Sequence, residues 1–258
     1  MENWDGQDYL PHVFHKWVDN SSFFIGIEES RMNKIVALGH VAILPDGTAW
    51  LEALRVRSDF RNQGISKMIM SEQMKYALDL LKAGIITRIA SCTYYKNTAS
   101  IHLSSTNGFK QYGSYLILNW NPEEEREKSI KAEPWNPTWD EIQSLTYFQD
   151  TNRLIIQDFL IQQLTENWWL KTKEDLDFFI INGARGWINS KRVEPHCVIL
   201  EPNKESIMDW LYYTYKNFGK DAGTVILPKI SLVEELKKTN LIVWSDWVSD
   251  CLYFVYDP

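Results

Sequence analysis

Residues 50–94 constrain the fold of this chain most tightly. Trp50–Val56 reads as a strand, Arg61–Ser66 as a turn, Ile65–Ala83 as a helix stopped by Gly84, and Thr87–Tyr94 as the next strand. A strand–helix–strand order pairs the two strands in parallel through a right-handed crossover. The helix carries Ile65, Met68, Ile69, Tyr76, Leu80 and Leu81 on one stripe, and Lys67, Glu72, Lys75 and Asp79 on the wet side. On the strand, simple alternation puts Trp50, Glu52, Leu54 and Val56 on one face and Leu51, Ala53 and Arg55 on the other. Both faces carry apolar residues, so the strand is expected to be central and covered on both sides. The turn joins backbone donors to a helix start, which predicts an anion site.

The flanking elements follow from the same reasoning. Asp8–Asn20 reads as an amphipathic helix with Leu10, Phe14 and Trp17 on its stripe. Phe23–Glu28 and Ile35–Leu44 read as strands, and Pro45-Asp46-Gly47 turns the chain back antiparallel. Asn97-Thr98 caps a short helix, Ala99–Thr106, that Asn107-Gly108 ends. Phe109–Tyr112 and Ser114–Trp120 read as a hairpin about Gly113. Glu123-Glu124-Glu125, Pro134 and Pro137 mark a change of character, so residues 1–121 are expected to form one domain, 122–137 a linker and 138–258 a second domain. In that second part a helix is expected at Thr138–Phe148. Strands are expected at about 153–158, 186–189, 196–200 and 224–227, and helices at Lys204–Phe218 and 228–238. A hairpin of 241–247 with 251–256 would close it. The element order repeats that of residues 50–120. The class is α/β (α+β): a mixed sheet flanked by helices, followed by a second mixed domain.

Composition excludes several functions. The formal net charge of -7 disfavours a broad phosphate-backbone surface, so no nucleic-acid partner is expected. Cys92, Cys197 and Cys251 are too few and too scattered for a disulfide framework or a zinc site. His12 and His15 lie one turn apart without an evident third ligand, so no metal is expected. No apolar run is long enough to span a bilayer, and Met1–Gly6 lacks a signal-peptide pattern. A cytoplasmic protein without a membrane partner is expected. The 12 tryptophans read as core filling rather than ligand platforms; Trp168-Trp169, read on a strand, would face opposite ways.

Leu54-Arg55-Val56, Arg61-Asn62-Gln63-Gly64-Ile65-Ser66, Asn97 and Asn107-Gly108-Phe109, in that order, resemble the GNAT superfamily of acyl-CoA-dependent N-acyltransferases over about residues 5–120. The wording of Trp50–Ser66 is also similar to that of small-molecule transferases such as histidine N-acetyltransferase. The resemblance implies acetyl-CoA as co-substrate. Its pyrophosphate would sit on the backbone of Asn62, Gln63, Gly64, Ile65 and Ser66, with Arg61 offsetting charge. Ser66 departs from the usual glycine or alanine. The resemblance also places the backbone of Leu54 and Val56 on the thioester and pantetheine, and Asn97 and Ser100 on the pantetheine side. A strand bulge would shift the Leu54 assignment by one residue.

Amine acylation needs a neutral amine, hence a base. Glu52 is the candidate catalytic residue, against the alternative of a structural ion pair with an arginine. Trp50 is a candidate for the acceptor pocket. Ser104 stands where many members carry a tyrosine acid, which leaves water to protonate the leaving thiolate. The second half repeats the element order without the signature, because Glu201-Pro202-Asn203 precedes its long helix and Glu201 would repel a pyrophosphate. Its expected work is to wall the acceptor pocket or to form a homodimer surface. The implied activity is N-acetylation of a primary amine on a small molecule or amino acid. The alternatives are a non-catalytic acyl-CoA-binding module and a protein acetyltransferase acting on lysine or an N-terminus.

Overall fold

The structure is a computed structural model. It describes residues 10–19, 23–31, 33–126, 129–146, 154–157, 160–191, 195–219, 224–228, 233–236, 238–243 and 251–257. By its own contacts the chain divides into two compact units. The first holds residues 1–92, 99–111 and 254–258, and the second holds 93–98 and 112–253.

In the first unit, helix α1 (Leu10–Asp19) precedes strands β1 (Phe23–Glu29), β2 (Lys34–Ile43) and β3 (Thr48–Val56). Helix α2 (Ile65–Lys82) then leads to β4 (Arg88–Tyr94). The strand order is β1-β2-β3-β4. β1–β2 and β2–β3 are antiparallel, and β3–β4 is parallel, as the crossover requires. Asp46 fixes the β2–β3 turn by accepting from the Thr48 amide and hydroxyl, each at 2.9 Å. α3 (Thr98–Thr106) follows, and Gly108 at φ 82 lets the chain enter β5 (Phe109–Trp120).

Two features of β3 set up the chemistry. Its ladder to β4 runs from Thr48↔Arg88 to Leu51↔Ser91, yet β3 continues to Val56. Its ladder to β2 pairs Glu52 with His40 and Arg55 with Leu38, so Ala53 and Leu54 together oppose Gly39. This is a β-bulge, and Ala53 stands in it at φ 58. The bulge breaks the expected alternation. Paired residues share a face, and Leu38 and His40 are two apart; Glu52 therefore shares its face with Arg55, not with Val56. Ala53 packs with Leu38 and Leu10 on that same face.

The second unit has the strand order β5-β12-β11-β10-β9-β6. β6 (Ala132–Pro134) pairs antiparallel with β9 (Asp177–Ile181), so part of the expected linker 122–137 belongs to this sheet. α4 (Trp139–Gln143) starts at a Thr138–Glu141 capping box. β7 (Leu154–Gln157) and β8 (Leu160–Gln163) form a separate hairpin. Trp168 and Trp169 lie on α5 (Glu166–Thr172), not on a strand, and a helix lets both bury. β10 (Ala184–Ile188) pairs antiparallel with β11 (His196–Ile199), and α6 (Lys204–Phe218) crosses to β12 (Thr224–Pro228), parallel to β11. α7 (Val233–Leu236), β13 (Ile242–Val243) and β14 (Cys251–Tyr256) complete the described elements.

Two other expectations are corrected. β5 is one strand through Gly113, because residues Tyr115–Asn119 pair continuously with β12 and Gly113 has no turn conformation. The expected 241–247/251–256 hairpin is replaced, within the described residues, by β13 pairing with β5; residues 244–250 lie outside them. The second unit's core is built on Leu118, Trp120, Ile188, Ile199, Trp210 and Leu211, with an aromatic cluster around Trp168, Trp169 and Trp187. Tryptophan fills cores here, as its size and apolar area favour.

Candidate active site

The turn between β3 and α2 begins with a 3-10 turn, Ser58–Phe60. Arg57 binds Asp59 with both guanidinium arms, at 3.0 and 2.5 Å, and lies over the Phe60 ring. The Arg57 guanidinium holds the Asp59 carboxyl below its ordinary range. Arg57 is thus committed to the turn. Arg61 reaches back to the Val56 carbonyl, its Nε donating at 3.3 Å. Asn62 and Gly64 both take left-handed conformations, φ 62 and φ 80.

The result is an open helix start. Among the described residues, the backbone N–H groups of Asn62, Gln63, Gly64, Ile65 and Ser66 have no protein acceptor. The Gly64 carbonyl already serves the first helical turn, accepting from Lys67 at 3.0 Å and Met68 at 3.2 Å. No side chain caps the helix. A Cβ on Gly64 would meet nothing within 4 Å, so the space over this turn is clear. Unpaired donors, a helix dipole and clear space fit a pyrophosphate. The turn offers no acidic side chain of its own between Arg61 and Lys67.

Glu52 lies one residue before the bulge. Its Oε1 is 2.8 Å from His40 Nδ1, and the side chain keeps 17% of its surface exposed. The partner is a histidine on the neighbouring strand rather than the arginine considered from sequence. His40 is buried and stacks on Trp17, with ring centroids 4.4 Å apart and an interplanar angle of 7°. Gln73, buried on α2, donates through Nε2 to the His40 carbonyl at 2.8 Å and to the Glu52 carbonyl at 3.3 Å. Gly39 permits this closeness, because a Cβ there would stand 2.5 Å from Ile69 Cγ2. Sequence reasoning missed His40, Gln73 and Trp17. The available signal was Gly39 inside a strand, which marks a bulge or a close approach.

The other expected site residues fall as follows. Leu54 sits in the bulge, outside both ladders of β3, and Val56 sits at the strand end beneath Arg61. Trp50 is 3% exposed and pairs with Ala42 and Ala90 in the sheet, so it is a core residue rather than a pocket wall. Ser100 is half-buried on α3. Asn97 belongs to the short segment 93–98 that packs with the second unit, where its amide donates to Tyr94. Ser104 is buried, 5% exposed. No group of three or more His, Cys, Asp or Glu that could hold a metal occurs among the described residues.

Residues 2–109 match the family model described as the acetyltransferase (GNAT) family. This part of the chain is a GNAT domain. As such it is an acyltransferase of a family that uses acetyl-CoA. The fold agrees with solved structures over nearly the whole chain. A Thermoplasma acidophilum protein assigned as an acetyltransferase is 19% identical with TM-score 0.59, covering 98% of this chain and 85% of its own. A GCN5-related N-acetyltransferase from Sphaerobacter thermophilus is 10% identical with TM-score 0.58, covering 95% and 84%. At such identities the likeness speaks to the fold alone. A comparison with curated protein sequences returned no match. No helix among the described residues is long and apolar enough to cross a membrane.

Proposed function

We propose that this chain transfers the acetyl group of acetyl-CoA to a primary amine of a small molecule or amino acid. The observation that carries the reading is the run of unpartnered amides from Asn62 to Ser66 at the start of an 18-residue helix. These amides hold the pyrophosphate and Arg61 offsets its charge. Leu54 and Val56 take the pantetheine and thioester along the strand that β4 leaves unpaired, and Asn97 and Ser100 are assigned to the pantetheine side. Glu52 takes a proton from the acceptor amine, directly or through water. The amide at Leu54 polarises the thioester carbonyl as negative charge develops on it. The amine nitrogen bonds to the carbonyl carbon, the carbon–sulfur bond breaks, and the thiolate takes a proton from water, since Ser104 is buried.

The partner in this reading is a small amine, with neither nucleic acid nor membrane involved. A cytoplasmic setting is part of this reading, since three scattered cysteines are too few for a disulfide framework. Isothermal titration tests the cofactor step: acetyl-CoA should bind the native chain and lose affinity strongly in Gly64→Glu, whereas unchanged affinity would move the site elsewhere. Thiol release across free L-amino acids and alkyl diamines tests the acceptor. Binding without transfer to any amine would leave a non-catalytic acyl-CoA-binding module.

A further inference from the structure

We propose that His40 is a positioning residue for Glu52, holding the carboxylate through Nδ1 in the orientation that proton removal needs. The proposal rests on the reading of Glu52 as the base. The antiparallel register sets the two residues directly opposite each other. An ionised carboxylate can only accept, so the ring nitrogen facing it carries the proton and donates across 2.8 Å. The bond is shielded: His40 is 1% exposed, whereas the Glu52 side chain keeps 17%. One carboxylate oxygen is therefore engaged inside while the group as a whole still reaches the surface. A shielded hydrogen bond is stronger than one in water.

The ring is packed on one side. Trp17 covers its flat side in a parallel stack, and Gln73 fixes the His40 carbonyl from the opposite helix. The same Gln73 nitrogen reaches the Glu52 carbonyl, so one carboxamide ties both backbones beside the bulge. Ala53, left-handed at φ 58, then separates Glu52 from Leu54 by a single residue. The base and the amide assigned to the thioester are held by one network. Fixed geometry of this kind contributes to rate through orientation.

The test exploits the two nitrogens of the ring. An asparagine amide superposes on Nδ1, and a glutamine amide on Nε2. With acetyl-CoA and the amine turned over fastest in the panel of amino acids and diamines, His40→Asn should keep most of kcat. His40→Gln should lose roughly ten- to hundred-fold in kcat with KM for acetyl-CoA unchanged. A merely structural histidine would not discriminate between these two amides. In a Glu52→Gln background, His40→Gln should cost nothing further. Equal kcat in His40→Asn and His40→Gln would overturn the positioning role while Glu52 stands, provided Glu52→Gln is slow. Full activity of Glu52→Gln, or no amine turned over at all, would instead remove Glu52 as base and the role of His40 with it.

Discussion

Two crossovers in this molecule share one plan and differ at one end. β3–α2–β4 and β11–α6–β12 each join parallel strands through a long helix, and each has an antiparallel neighbour, β2 or β10. Each neighbour carries a glycine under the helix: Gly39 lies beneath Ile69 and Gln73, and Gly186 beneath Trp210. The helix starts diverge. α2 opens on Gly64 with unpartnered amides, whereas α6 is closed by a capping box in which Asn203 accepts from the Ser206 amide and Ser206 accepts from the Asn203 amide. Glu201, beside that cap, is engaged by both arms of Arg185. A helix start either satisfies its own donors or leaves them open; the first unit leaves them open and the second satisfies them.

The largest expected effect tests that division. Gly64→Glu should weaken acetyl-CoA binding by about 100-fold or more, or ~2.8 kcal/mol, while Asn203→Glu should leave affinity within about twofold; titration of both variants checks it. Comparable losses in both would end the distinction between open and closed starts. Next come the two glycines. Gly186→Ala puts a Cβ 2.4 Å from the Val198 carbonyl, a backbone atom, whereas Gly39→Ala meets a side-chain atom, the Cγ2 methyl of Ile69, at 2.5 Å. Overpacking commonly costs about 1–3 kcal/mol, and Gly186→Ala should lie at or above the top of that range, with Gly39→Ala below it. Urea unfolding of the two variants ranks them, and the reverse order would refute the backbone argument. Asn203→Ala should cost about 1 kcal/mol of stability without changing acetyl-CoA affinity, read by the same denaturation and titration.

The smallest effect is a pH dependence. Arg185 holds the Glu201 carboxyl below its ordinary value of 4.5, so the pair's stabilisation is complete above that pH and fades as pH falls below it. Both side chains are more than a third exposed or nearly so, 36% and 35%, which keeps the contribution small. The stability difference between the native chain and Glu201→Gln should therefore shrink between about pH 5 and about pH 3. A constant difference across that range would remove the ion pair as its cause.

The parallel crossover, the extent of both long helices and the open helix start after Arg61 were legible because each rests on local pattern: a 3.6-residue stripe, a glycine after an arginine, a glycine stop. The face of Glu52 was not. Alternation along β3 holds only while the ladder is regular, and the inserted residue at Ala53–Leu54 is decided by what β2 and α2 place opposite it. His40 and Gln73 are 12 and 21 residues from Glu52 in sequence, so their convergence is a tertiary fact. β6 escaped notice because three residues ending in proline carry no period, and they become a strand only by lying against β9. Trp168-Trp169 misled for the converse reason: two bulky residues fit a strand or a buried helix equally, and the Thr165 cap decides for the helix.

The closing residues of the chain return to the first unit. Phe254–Asp257 are grouped with it: Asp257 donates its amide to the Gly108 carbonyl, Lys110 pairs with the Asp257 carboxylate, and Tyr256 packs on Phe109 and covers Gly108. During synthesis, the first unit can collapse around β1–β4 early, but it cannot be completed until residues beyond 253 have left the ribosome. The second unit is made inside that interval. Order of translation thus links the two units, and a fragment ending near residue 111 would lack part of its own sheet.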